Sequence, residues 1–159
     1  MKEFLIAMTV LLSAQAADAQ STPPVIPSTF ESAGADRRAI TALLDNYTRA
    51  VSTQDQRLFE TLLLSQAIPF SSVDAATAAA DREDGARNYP AFRRGVFEGQ
   101  RFTQRFQDVQ IEQDGALANV RLVFVNTKEE SESWGWKVLH LLKVDGEWKI
   151  ASEFWSIHR

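Results

Sequence analysis

A chain of 159 residues with a formal charge of −4 and no cysteine is bounded before any motif is read. The lack of cysteine excludes thiol catalysis, disulfides, cysteine-rich zinc sites and a lipid anchor on cysteine. The mild acidity gives no reason to expect nucleic acid as a partner, and the length suits one domain with a sizeable core.

Residues 1–19 read as a signal peptide. Met1-Lys2-Glu3 precedes an apolar run from Phe4 to Leu12, and both Ala14-Gln15-Ala16 and Ala17-Asp18-Ala19 fit the small-x-small cleavage rule. The apolar run is shorter than the about 20 residues that a spanning helix needs. Cleavage after Ala19 is expected, giving an exported protein, periplasmic or secreted, with no integral membrane segment left. Residues 20–35 hold three prolines and no helical period, so they read as a flexible Pro/Ser-rich linker to a domain over 36–159.

Asp36 is placed to cap a helix in which Ile40, Leu43, Leu44, Tyr47 and Val51 form one apolar stripe. Asp55 is a good cap for a second, shorter helix with Leu58, Phe59, Leu62 and Leu63 inward. Pro69 ends any helix before it, and Ile68 to Val73 reads as a short strand. The Ala-, Asp- and Arg-rich stretch from Asp74 to Asn88 suits a surface helix or loop, and Tyr89 to Phe97 a short helical turn.

The remainder is strand-like. Phe102 to Glu112 and Leu117 to Thr127 flank Asp114-Gly115, a hairpin signal. Thr127 to Ser133 reads as a polar connection. Two aromatic-rich runs then flank Asp145-Gly146, which suits a type I′ turn with positive φ at both central residues. All four tryptophans and both histidines lie in this closing hairpin. Helices followed by antiparallel strands indicate an α+β domain with one sheet folded over helices.

Strand parity assigns faces. His140 shares parity with Trp134, Trp136, Val138 and Leu142, so it is expected beside the large apolar groups. Glu153 is opposite in parity to Trp148, Ile150 and Phe154, and is expected to be exposed or at an interface. Arg93, Arg94, Arg101 and Arg105 interleave with Phe92, Phe97, Phe102 and Phe106. In an acidic chain this reads as phenylalanines toward the core and arginines in water, forming a rim that would attract anions. Asp81 to Gly85 lacks the alternation of a calcium loop, and two histidines 18 residues apart make no ligand set, so no metal is expected.

Three stretches carry a family resemblance: Ala39 to Tyr47 with Ala50-Val51 and Asp55, Ala118 to Phe124, and above all Leu139-His140-Leu141-Leu142-Lys143-Val144-Asp145-Gly146-Glu147-Trp148-Lys149-Ile150. Together they make the region from Asp36 to His158 similar to the nuclear-transport-factor-2-like superfamily. The closing stretch is most similar to its exported branches described as polyketide-cyclase-like or putative lumazine-binding. The resemblance implies a single α+β domain whose cone-shaped, curved antiparallel (mixed) sheet wraps over N-terminal helices. No cofactor is expected.

Within that superfamily the ketosteroid isomerases combine a carboxylate base with two hydrogen-bond donors. The resemblance places the phenol donor on Tyr47 and the second donor near His140. The base falls at about Ser71, whose hydroxyl cannot abstract a carbon-bound proton unaided, with Asp74 three residues on. Catalysis of that type is therefore not expected. The expectation is a small-molecule-binding protein whose apolar pocket is lined by Tyr47, Phe59, Phe70, Phe97, Trp136, His140 and Phe154, taking a small apolar or amphipathic ligand. The alternatives are a lyase, isomerase or cyclase using His140, Tyr47 and Asp74, and a scaffold with a closed core. A homodimer through the outer sheet face is expected, with Trp155 and Ile157 on that face.

Overall fold

The computed structural model describes residues 27, 29–78 and 89–158. The leader expected over 1–19 lies outside the described residues, as do half of the linker and residues 79–88, which include the Asp81 to Gly85 stretch. Among the described residues no helix is long and apolar enough to cross a membrane.

Helix α1 (Gly34–Thr53) buries the stripe Ile40, Leu43, Leu44, Tyr47 and Val51, as its spacing predicts. It starts ahead of Asp36, with Ala33 at the N-cap and no side-chain cap. Asp36 instead lies in the first turn, where Lys143, Trp148 and Gln113 all donate to its carboxylate. Upstream, Ser32 N–H donates to the Ile111 carbonyl and Gln113 N–H to that of Phe30. The folded part thus begins before Asp36.

Helix α2 (Gln56–Thr61) is capped by Asp55, whose carboxylate accepts the Leu58 N–H at 2.9 Å. Strand β1 (Phe70–Ser72) runs directly into helix α3 (Val73–Ala78), and helix α4 (Tyr89–Phe97) follows. The Gln54 side-chain amide donates to the carbonyls of Val96 and Gly99, tying the end of α1 to the end of α4.

Four long strands complete the fold: β2 (Thr103–Asp114), β3 (Leu117–Lys128), β4 (Ser131–Val144) and β5 (Glu147–Trp155). The sheet order is β1-β5-β4-β3-β2, with β1 parallel to β5 and all other pairs antiparallel. Asp145 (φ 52°) and Gly146 (φ 84°) form the closing turn with both φ values positive, as the dipeptide predicts. The polar connection expected from Thr127 to Ser133 is instead mostly strand, because Glu129 (φ 53°) and Glu130 turn the chain tightly.

Two β-bulges bend the sheet. In β2 the register slips between Gln107 and Gln110, where Asp108 has φ 50°. In β5, His140 pairs with Ser152 but Leu141 with Ile150, leaving Ala151 extra. A bulge reverses which face the following side chains take. Trp148 and Ile150 therefore point inward before Ala151, and Glu153 and Trp155 point inward after it.

Candidate functional site

Helices and concave sheet enclose a layer of aromatic rings. Phe59 is its hub, with ring centroids 4.7 Å from Tyr47, 5.3 Å from both Phe92 and Phe97, and 5.8 Å from Tyr89. Phe70 meets Phe92 at 4.7 Å and Trp155 at 5.7 Å. Edge-on, tilted and stacked contacts of this kind add to burial energy and fix the rings in place. Phe102, just ahead of β2, and Phe106 within it pack on the core as the interleaving predicts. Arg105 faces out to Glu132 at 3.0 Å.

One side of this layer is open as a pocket of about 450 Å³. Phe70, Phe92, Val96, Phe102, Phe124 and Trp155 supply apolar walls, while Gly95 and Ala91 of α4 leave room opposite the sheet. The polar lining groups are Ser71, Ser72, Gln104, Asn126 and Lys137. Gln104 donates its amide N–H to Asn126 Oδ1 at 2.7 Å. Its Oε1 is buried with no partner among the described residues.

Lys137 is the unusual member. Its side chain is 2% exposed, and its Nζ stands 2.7 Å from Glu153 Oε1, itself fully buried. The ammonium also donates to Tyr47 Oη at 2.6 Å, and that hydroxyl donates to the same Glu153 oxygen at 2.8 Å. Aromatic rings surround the nitrogen, with Tyr47 at 4.4 Å, Phe124 at 5.1 Å, and Phe106 and Trp155 at 5.6 Å from it. Two of the three ammonium donors are thereby assigned, and Glu153 Oε2 has no partner among the described residues.

Desolvation sets the proton affinities. Burial pushes the Lys137 ammonium down and the Glu153 carboxyl up, and their mutual attraction opposes both shifts. Burial, then the charge of Glu153, pushes the Tyr47 hydroxyl well up. Burial thus draws the two proton affinities toward each other, while the attraction between the charges holds them apart.

The residues expected at the site fall into three groups. Phe70 lines the pocket, while Tyr47, Phe59 and Phe97 belong to the ring layer behind it. Trp136, His140 and Phe154 point away from the concave side: Trp136 is 51% and Phe154 38% exposed, and His140 Nδ1 lies 2.7 Å from Ser152 Oγ. On β4 the inward parity is Gly135, Lys137, Leu139 and Leu141, so the two tryptophans mark the wrong face. Asp74 lies exposed in the first turn of α3 and is not in the pocket wall, although its neighbours Ser72 and Ala75 are. Trp155 and Ile157, expected on the outer face, line the pocket instead. Glu153 and Lys137 were not expected at the site at all.

A strongly bent sheet closing over N-terminal helices defines a protein of the nuclear-transport-factor-2-like, or cystatin-like, fold. The chain belongs to the family described as "Putative lumazine-binding", whose model matches residues 35–156. Among solved structures it is similar to a protein of unknown function from Mycobacterium tuberculosis (24% identity, 78% of this chain and 72% of that one, TM-score 0.60). It is also similar to a protein of unknown function with a cystatin-like fold from Nostoc punctiforme (12% identity, 80% and 95%, TM-score 0.63). A third likeness is to a protein described as "Putative Scytalone Dehydratase" from Novosphingobium aromaticivorans (19% identity, 78% and 85%, TM-score 0.60). No curated protein matches the chain significantly.

Proposed function

We propose that the protein binds a small, flat, heteroaromatic molecule in the pocket beside Lys137. The observation that carries this reading is a roughly ligand-sized space of about 450 Å³ whose walls are aromatic and whose polar groups are few. Gln104 Oε1 offers an acceptor and Lys137 a donor, so a planar ring bearing both an N–H and a carbonyl on one edge would satisfy both. Lumazine has such an edge, and the family description names it. Phe92, Phe124 and Trp155 would hold the ring faces.

Calorimetric titration with lumazine tests the reading on the wild type and on two variants of Gly95. A Cβ at this helical position meets nothing within 4 Å, so Gly95→Ala leaves the pocket open and Gly95→Phe projects a ring into it. Gly95→Ala should bind as the wild type does and raise stability by roughly 0.5–1 kcal/mol through helix propensity. Gly95→Phe should lose binding while remaining folded. Equal affinity in all three proteins would place the ligand elsewhere.

A further inference from the structure

We propose that the Lys137 amine forms an imine with the carbonyl carbon of an aromatic aldehyde or ketone held in the pocket, with Glu153 carrying the protons. This rests on the pocket being a small-molecule site, and it names a class of ligand that such a site would hold covalently.

The geometry supplies each part. Lys137 is the one lysine in the pocket wall among the described residues. A lysine becomes a nucleophile when desolvation favours its neutral form, and the rings of Tyr47, Phe106, Phe124 and Trp155 around Nζ provide that. A proton acceptor must lie within hydrogen-bond reach, and Glu153 Oε1 does at 2.7 Å. Fold stability alone does not require the pair, since apolar replacements of buried ion pairs are often neutral or stabilising. The other described lysines lack this setting: Lys143 pairs with Asp36 and Lys149 with Glu147, each at 2.7 Å and partly in water, and Lys128 is exposed.

The step balances without a further reagent. The ammonium passes a proton to Glu153, and the freed lone pair forms a C–N bond as the carbonyl π pair moves to oxygen. Glu153 returns the proton to that oxygen and takes a second from nitrogen, giving a neutral carbinolamine. The nitrogen lone pair then expels hydroxide, which takes the proton from Glu153 and leaves as water. The products are a protonated imine on Lys137, one water and the original carboxylate.

The test uses cinnamaldehyde with cinnamyl alcohol as its non-reacting analogue. Calorimetry measures binding of each, and sodium cyanoborohydride followed by peptide mapping locates any adduct. The expected result is a Lys137 peptide heavier by the aldehyde mass less one oxygen, labelled at least about tenfold faster than Lys128 or Lys149. Lys137→Met should abolish it. If aldehyde and alcohol both bind but Lys137 stays unmodified, the imine is overturned and the binding site stands. Labelling spread evenly over the lysines also overturns it. No binding of either compound and no adduct would overturn the imine, while the lumazine titration of the Gly95 variants judges the binding site separately.

Discussion

Lys137 Nζ stands 2.7 Å from Glu153 Oε1 with both side chains shielded from water, and Tyr47 bridges the two through its hydroxyl. Buried charge is tolerated only as a pair, because an isolated ion in an apolar interior is heavily penalised. Lys137→Met should therefore destabilise the fold at neutral pH by about 3–5 kcal/mol, the range for breaking a buried pair. The double variant Lys137→Met/Glu153→Gln should be more stable than that single one, since it removes the orphaned charge. Urea denaturation of the wild type and the two variants checks this. A double variant no better than the single would show that packing, not charge, holds this region.

Gly135 predicts a second large effect. It pairs with Phe124 across β3 and β4, and a Cβ built on it would lie 2.8 Å from the Phe124 ring and overlap the Ser156 carbonyl. Gly135→Ala should lower stability by about 3 kcal/mol or more, as overpacking at a site blocked by backbone does. The thermal midpoint reports it. A neutral outcome would mean that the segment after β5 shifts freely.

How far the sequence could be read is clearest at these same residues. The stripe of α1, the Asp55 cap and the Asp145-Gly146 turn were legible because each follows from local chemistry, namely period, capping and positive φ. Which face of β4 turns inward was not, since both parities carry apolar side chains and the inner one holds Gly135 and Lys137. The charged partner was hidden by one extra residue, Ala151, which reverses the parity of β5 beyond Ile150. Parity read from Trp148 and Ile150 sends Glu153 to water, whereas the bulge buries it. No single-chain signal announces a bulge of this kind, although two consecutive large aromatics, Phe154 and Trp155, mark the place where the faces compete.

His140 supplies a contrasting prediction. It lies on the outer face of the sheet beside Ser152, away from the pocket wall. His140→Ala should change stability by less than about 0.5 kcal/mol, as for most exposed positions, and leave ligand affinity intact. A loss of affinity, read by calorimetry, would show that the outer face participates in binding.

Asp36 contributes to the acid limb of stability. The hydrogen bonds from Lys143, then Gln113 and Trp148, lower its pKa from 3.8 to about 2. A carboxyl depressed by folding contributes stability that is present above its unfolded pKa and lost as pH falls through the folded one. The urea midpoint of the wild type should thus fall toward that of Asp36→Asn between about pH 4 and pH 2. A difference that stays constant through this window would show that the carboxylate charge contributes nothing.

The four tryptophans report on different surfaces, and this permits the most direct test of the pocket. Trp155 lines it, Trp148 packs beside Asp36, and Trp134 and Trp136 are half exposed outside it. The measurement is a nitrogen–proton NMR titration of the indole N–H signals with lumazine. The account predicts that the Trp155 signal moves with saturation while those of Trp134 and Trp136 stay fixed. Shifts confined to Trp134 and Trp136, with Trp155 unmoved, would contradict it.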